Sequence, residues 1–526
     1  MCNEVLKTIK NNTKLSLLLV IFLFLGIFLR TYNHHNWLRF NADQGRDSEV
    51  VSAVVEGKNS WPLLGPKAGG TEFKLGGAFY YFEIISAKVF GNYPDKMAYP
   101  DLLTGILCIP LLFFFLRKYF EKNVSLALVA IFAVSNYAIR YARFAWNPNS
   151  TPFWTLLSLF AIHEVISKKE NNKFAWAAVT GIAIGIGMQL HTTLMLFLPI
   201  TVVAIFGYLA IKNIKILKYF LVILTMSLLM NAPQLMGEYQ TGGKNVGAFF
   251  EGMRIKQKGE KSLPSKIVRG TSCWIQGNTD IISGYEIDDK CDFSLGRNLG
   301  NTLVFFLGMI FVLGGTVLGL KYFKEEKDAE KRLFLLVVSV FTGVSFLVFA
   351  KLAFELSVRF YLILIFLPFL LLGFWWKFFS EKFLSKKNVM LLVVTIFLIA
   401  SNLFFVGKYF SGLNDYDKKD GGDAAITILK EAEVFSNFIV SNAGTSKKVL
   451  IGGDEKILFK AFKPIRYLVA KSGIELLEIG KKNEPQGQYF YLGTIKDKER
   501  MLKDSPESVL KFEDYGSLAI VLLQSK

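Results

Sequence analysis

Eleven separate stretches of this chain are apolar over close to the ~20 residues that a helix needs to cross a bilayer. They fall near residues 15–30, 100–116, 124–140, 152–167, 174–191, 193–211, 217–235, 302–320, 333–350, 359–376 and 389–407. The fold class this predicts is a polytopic α-helical membrane protein with about 11 transmembrane helices. Composition agrees, since 52% of the 526 residues are hydrophobic, 49 are Phe and the mean hydropathy is +0.36, which is too oily for ordinary soluble cores. The formal charge of +18 does not imply nucleic acid, because most basic residues sit in short clusters between apolar runs. The apolar content excludes a disordered chain, 14 Pro without a glycine period exclude a collagen-like one, and four Cys exclude a disulfide-built miniprotein.

A twelfth candidate, residues 75–90, is short and carries Glu83 and Lys88. Charge asymmetry decides its place. If it lies along the interface, the loops on one side hold 21 Lys and Arg, from Lys7, Lys10 and Lys14 through to Lys386 and Lys387, while the short loops opposite hold only Arg140, Arg143, Lys351 and Arg359. That split obeys the positive-inside rule, which a twelfth crossing would reverse for every later loop. The segment is therefore expected as an amphipathic helix on the outer face, with Leu75, Phe79, Phe82 and Val89 roughly on one side. The N-terminus is expected in the cytoplasm, with the first run kept as an anchor because no small-residue cleavage site follows it. A multi-pass protein of the cell (cytoplasmic) membrane follows.

In this topology residues 31–99, residues 236–300 and everything beyond about 410 lie outside, and the chemistry is expected there. Residues 1–410 form the membrane domain and 411–526 a separate, extracytoplasmic α/β domain, announced by the polar run Asn414 to Asp423. Within it, helices are predicted at 424–441 and 455–471 and strands at 448–451, 489–492 and 518–523. No internal repeat of the kind many transporters show is present.

The first outer loop opens with Arg39-Phe40-Asn41-Ala42-Asp43-Gln44-Gly45-Arg46-Asp47. The plain reading is a solvated turn with Asp47 capping a helix over 48–57; the sharper one is that Asp43 lies at the water boundary, where burial and a nearby cation tune it to accept a proton. Lys74 is expected at headgroup depth. The second outer loop, Arg140-Tyr141-Ala142-Arg143-Phe144-Ala145-Trp146-Asn147-Pro148-Asn149, concentrates arginine and aromatic residues. Singly, such residues snorkel or join an aromatic belt. His191, at the outer end of the fifth span, and Arg359, near Glu355, have equally plain readings as an interface histidine and an ion pair.

Taken in order, these elements resemble the GT-C superfamily of lipid-linked-sugar glycosyltransferases, in the branch that includes protein O-mannosyltransferases and the lipid A aminoarabinose transferase. Asn41 to Asp47 falls where that branch carries an Asp-Glu motif: Asp43 matches the Asp, and Gln44 replaces the Glu. Lys74 sits where the aminoarabinose transferase has a lysine near the lipid phosphate. Asn147 stands where several relatives have a second acid before Pro. The resemblance covers roughly 15–410 and is strongest over 38–155.

The resemblance implies transfer of a sugar from a polyprenyl-phosphate donor to an acceptor hydroxyl, with inversion, the acceptor being a protein, a lipid or a wall polymer. Asp43 is then the expected base. Lys74, Arg143 and Arg359 are the expected phosphate partners, with Arg46, Asp47, His191, Asn147 and Trp146 lining the donor site. Some relatives use a divalent metal held between acids of both outer loops. Here Asn147 supplies no carboxylate, so catalysis without a cofactor is expected, although Asp43 and Asp47 could form a partial site. Cys273 and Cys291 share an outer loop, either as a disulfide or as two thiols. The rival readings are a lipid or polysaccharide transporter or flippase, which calls for charge at mid-membrane, and a non-catalytic lipid-binding protein of the same fold.

Overall fold

The computed structural model describes residues 13–255, 262–292, 296, 298–383, 387–413, 427–480 and 487–525. Lys7, Lys10 and Lys386, counted for topology, and the polar run 414–423 lie outside these residues.

The chain begins with α1 (Thr13–Thr31) and then builds an outer-face unit from α2 (Ala42–Val55), the hairpin β1 (Leu64–Lys67) and β2 (Lys74–Gly76), α3 (Ala78–Phe90) and the short α4 (Pro94–Met97). The bundle continues through α5 (Tyr99–Leu116), α6 (Lys122–Ala133), α7 (Asn136–Ala142), α8 (Thr151–Ile166), α9 (Lys173–Leu190), α10 (Leu194–Lys212), α11 (Leu217–Met230) and α12 (Ala232–Gln240). After α13 (Lys244–Ile255) and α14 (Leu263–Ser283) come α15 (Leu299–Glu325), α16 (Ala329–Lys351), a 3-10 segment at Val358–Leu364, α17 (Leu367–Lys382) and α18 (Lys387–Leu413). The C-terminal unit is α19 (Leu429–Asn442), β3 (Lys448–Gly453), α20 (Glu455–Ala470), β4 (Glu475–Glu478), β5 (Gln488–Thr494), α21 (Ile495–Asp504), β6 (Val509–Tyr515) and β7 (Leu518–Gln524).

Among the described residues, six helical segments are long and apolar enough to cross a membrane, and three bent pairs qualify if each counts as one span. Leu17–Thr31 and Thr151–Ile166 are shorter apolar helices. Each of the eleven apolar runs coincides with one of these elements, so the chain is a multi-pass membrane protein. The bends have local causes. Between α6 and α7 the axis turns by 55°, where the Ser135 hydroxyl accepts from the Ala138 N–H and donates to the Ile281 carbonyl at 2.9 Å. The 57° bend into α12 and the 67° bend into α17 each place a proline, Pro233 and Pro368, in the first turn of the following helix, a position where proline starts a helix but cannot continue one.

α14 escapes a hydropathy reading because Gln276, Asn278 and Asp280 interrupt its apolar face, yet these residues are buried where it packs against α15, α16 and α17. Its last carbonyls are satisfied by side chains of neighbouring helices: Asn402 donates to Ile282 at 2.9 Å and Ser401 to Ser283 at 2.8 Å. Polar residues inside a bundle hold helix ends in this way where water is absent.

The C-terminal sheet has the order β4-β3-β5-β7-β6, parallel across β4, β3 and β5 and antiparallel across β5, β7 and β6. The five elements predicted there are found, and β4, α21 and β6 are additional. Rather than standing apart, the unit shares one apolar core with the first outer loop, in which Val51, Phe79 and Ile84 pack with Leu429, Phe435 and Ile465. Its entry segment is stitched to the chain just before α2, with Phe40 N–H donating to Thr427 O and Leu429 N–H to Leu38 O, both at 2.8 Å. An ideal Cβ on Gly45 would lie 2.6 Å from the Pro464 nitrogen, so only glycine lets α20 approach α2 this closely.

Two expectations need correction here. α2 begins at Ala42, not 48, because the Asn41 N–H donates to the Gln44 side chain at 3.1 Å and so starts the helix early; Asp47 is thus a buried mid-helix residue and not a cap. The 75–90 segment is helical only over Ala78–Phe90, and Leu75 belongs to β2. The buried face of α3 is Phe79, Tyr80, Glu83, Ile84 and Ala87, turned to α2, while Val89 is 67% exposed.

Candidate active site

The acidic motif is placed by the first two turns of α2. Asp43 keeps 57% of its side chain exposed and pairs with the Arg46 guanidinium at 3.0 Å. Arg46 also binds both oxygens of Asp47, at 2.9 and 3.0 Å, and Asp47 accepts from the Tyr80 hydroxyl at 2.9 Å. Burial pushes Asp47 above the usual carboxylate range, and the donors Arg46 and Tyr80 oppose that only in part. Beneath it, burial and the charges of Asp47 and Asp101 push Glu83 up much further, and its Oε2 has no hydrogen-bond partner among the described residues. The exposed acid of the group is therefore Asp43, with one of its oxygens held by Arg46.

Gln44, the departure from the resembled motif, has a structural task. Its amide donates to the Ala145 carbonyl at 3.1 Å while its oxygen accepts from Asn41 N–H. An ionised carboxylate, which only accepts, could not do both. α2 is thereby tied to the second outer loop, whose Trp146 N–H donates to Asp101 at 2.9 Å.

That loop forms one wall of a cluster of cations and aromatic rings. Trp146 lies alongside Phe144 and Tyr141, with ring centroids 6.0 and 6.3 Å away. The Arg359 guanidinium stands over Trp146 at 5.6 Å and over Phe360 at 5.8 Å, and His191 meets Phe360 edge-on at 5.4 Å. Arg39 lies over Phe144 at 5.0 Å, with its Nε buried and unpartnered among the described residues. Burial, then repulsion from Arg140 and Arg359, holds Arg39 below the ordinary arginine range. Across from them Arg140 is paired with Glu286 at 2.5 Å. Burial and Glu286 raise the carboxyl of Asp289, while Arg140, Arg359 and Arg39 pull it down. The cluster thus offers two guanidiniums, Arg39 and Arg359, beside a flat aromatic wall. Such a surface suits a phosphate and a sugar ring.

The structure joins Arg359, Trp146 and His191 as expected from the sequence, and Asn147 beside them donates to the Leu190 carbonyl at 2.7 Å. Asn147 is therefore a brace for the end of α9. Arg143 is a correction. It is 1% exposed, and its guanidinium donates to the carbonyls of Leu29, Arg30 and Tyr32 at 3.1, 2.9 and 2.8 Å. Its two terminal nitrogens close the end of α1, and its Nε has no partner among the described residues. Lys74 is also displaced from the expectation. Its backbone is clamped by Asn245 at 2.7 and 3.0 Å on β2, its side chain is exposed, and no described contact links it to Arg39 or Arg359. Among the described residues Glu355 and Arg359 form no ion pair.

No three His, Cys, Asp or Glu among the described residues group so as to hold a metal. Both oxygens of Asp47 accept hydrogen bonds, from Arg46 and Tyr80, and Asp43 Oδ1 pairs with Arg46. Cys273 and Cys291 are joined as a disulfide with Cα atoms 5.0 Å apart. The bridge fixes α14 to the loop that carries Glu286 and Asp289.

Sequence reasoning missed Arg39, Glu286 and Asp289. Arg39 stood in the quoted motif and was passed over for the acids after it. The run Glu286, Asp288, Asp289 just before Cys291 was the available signal for the other two.

Comparison with known proteins agrees with this architecture. Residues 78–236 match the family model described as dolichyl-phosphate-mannose-protein mannosyltransferase. No curated protein sequence matches the chain. Among solved structures, the apo oligosaccharyltransferase of Archaeoglobus fulgidus aligns at 12% identity over 90% of this chain and 65% of that one, with a TM-score of 0.53. Its complex with zinc and sulfate aligns at 12% identity over 91% and 68%, with a TM-score of 0.51. ArnT of Cupriavidus metallidurans bound to undecaprenyl phosphate aligns at 11% identity over 97% of each chain, with a TM-score of 0.48. The chain is a multi-pass membrane protein whose overall fold is similar to that of the Archaeoglobus fulgidus oligosaccharyltransferase. The stretch matching the mannosyltransferase model runs from α3 to α12 and includes the aromatic wall at Trp146.

Proposed function

We propose that this protein transfers a sugar from a polyprenyl-phosphate donor to an acceptor hydroxyl at the outer face of the cytoplasmic membrane, with inversion. The observation that carries the reading is the placement of Arg39 and Arg359 against the Trp146 wall, with the helix bearing the exposed Asp43 fastened to the same loop by Gln44. The family description of the matched segment, a polyprenyl-phosphate-sugar enzyme, supports the donor class. The split of 21 basic residues against four supports an outer site and a cytoplasmic N-terminus.

In this mechanism Asp43 takes the acceptor proton as the acceptor oxygen attacks the anomeric carbon, and the bond from that carbon to the phosphate oxygen breaks on the opposite side. The electron pair leaves with the polyprenyl phosphate, whose growing charge Arg39 and Arg359 offset. Trp146 and Tyr141 flank the sugar. Residues 1–410 hold the lipid, while the C-terminal unit positions α2 through the contacts of Thr427 and Pro464. Purified full-length protein given a labelled polyprenyl-phosphate sugar tests the reading: turnover lost in Arg39→Ala and Arg359→Ala supports it, and turnover indifferent to both overturns the site.

A further inference from the structure

A second feature lies on a different side of α3 from Asp47. There a cavity of about 660 Å³ opens between the end of α1, α3, α4 and α5. Its outer wall is hydrocarbon in character: Ile85 is 53% exposed, Phe90 59% and Leu103 56%. Because Leu103 sits on a membrane-spanning helix, this trough faces lipid. Its inner end is polar and incompletely satisfied. His34 and Asp95 are both more than nine-tenths buried, and His34 Nε2 and Asp95 Oδ1 have no hydrogen-bond partner among the described residues.

We propose that this cavity is a binding site for a membrane lipid that lays one hydrocarbon chain in the trough and presents a hydroxyl-bearing headgroup to His34 and Asp95. The chemistry of the two orphaned atoms selects that headgroup. Asp95 Oδ2 already accepts from His35 Nδ1 and from Lys96 Nζ, both at 3.1 Å, so Oδ1 needs a further donor. Burial pulls His34 down to about 4, with Arg143 adding to the effect, so its ring is neutral at pH 7 and can donate or accept at Nε2. A hydroxyl meets both needs. A phosphate ester oxygen only accepts, and it would face the Asp95 carboxylate. Of the cations that act on His34, Lys96 is held by Asp95 and donates to the Tyr99 hydroxyl at 2.7 Å, and Arg143 is bound to the carbonyls at the end of α1. The site therefore differs in kind from the Arg39 and Arg359 cluster, where charge favours phosphate. A lipid held here would brace α3 against α5 and, through His35, against Glu433 of the C-terminal unit at 3.1 Å.

The test uses the full-length protein in lipid-free detergent, titrated with diglucosyl-diacylglycerol, phosphatidylglycerol, phosphatidylcholine and phosphatidic acid of matched acyl chains. Binding is read by native mass spectrometry and by the shift in unfolding temperature. The two hydroxylated lipids are expected to bind about tenfold or more tightly than phosphatidylcholine, a difference of about 1.4 kcal/mol. Leu103→Trp, which fills the exposed trough without touching the polar end, is expected to abolish the difference. Retention blind to headgroup, a preference for phosphatidic acid, or unchanged binding by Leu103→Trp would each overturn the proposal. None of these readouts involves sugar transfer, so the result is separate from that of the proposed reaction.

Discussion

The Gln44 side chain donates to the Ala145 carbonyl at 3.1 Å, and through that bond the helix of Asp43 is fixed to the loop of Trp146. A glutamate in its place keeps the acceptor for Asn41 but loses the donor, and sets a carboxylate against a carbonyl oxygen. Gln44→Glu is therefore expected to lower stability by about 1–3 kcal/mol and to reduce kcat, although it restores the motif of the resembled branch. Thermal unfolding and turnover of the variant check this; a variant as stable and active as the parent would show that the bond has no positioning role.

Arg39 has its Nε unpartnered among the described residues and feels the charge of Arg359. Without bound phosphate, this pair of cations is mutually repulsive. Arg39→Ala is expected to raise the donor KM about tenfold or more while leaving stability equal or improved. Arg39→Lys should recover only part of the loss, because a point charge cannot make a forked contact. A donor titration alongside thermal unfolding separates the two effects.

Much of this arrangement was legible in the sequence, and the part that was not has physical reasons. Hydropathy locates membrane helices because hydrocarbon imposes one solution on the backbone, and all eleven runs were found. α14 was hidden because its polar face is buried against other helices and not exposed to water. Asp43 was singled out by resemblance and expected depth, and Arg359 and Trp146 by residue type and expected side of the membrane. The fate of Arg143 was not legible, since a guanidinium that closes a helix end and one that binds phosphate have the same sequence. Glu83 was noted only as a charge in the 75–90 segment, and the packing of α3 on α2 buries it.

The buried Glu83 has a consequence for pH. Its folded-state value lies well above the ordinary 4.5 because of burial, Asp47 and Asp101. Below 4.5 the group is protonated in both states and contributes no pH dependence. Above it, the unfolded chain releases a proton that the folded chain keeps, so stability falls by about 1.4 kcal/mol per pH unit until the folded value is reached. Glu83→Gln is expected to make this slope shallower, with Asp47 contributing to a remainder of the same sign. Unfolding temperatures from pH 5 to 8 check the sign; a parent that becomes more stable with rising pH in that window, or a variant with the same slope, contradicts the assignment.

Arg143 serves three carbonyls at the end of α1. Arg143→Ala is expected to destabilise the protein by roughly 3 kcal/mol or more, since buried acceptors are left unmet. The donor KM of the fraction that folds should be unchanged. A selective rise in KM without loss of stability would return Arg143 to the phosphate site.

The most direct measurement is single-turnover transfer from a labelled polyprenyl-phosphate sugar by purified parent protein and by Asp43→Asn, with donor binding followed in the same samples. If Asp43 is the base, the variant binds donor as the parent does and transfers roughly 100-fold or more slowly. Transfer by the variant at the parental rate, or donor bound by both with no transfer by either, contradicts the account.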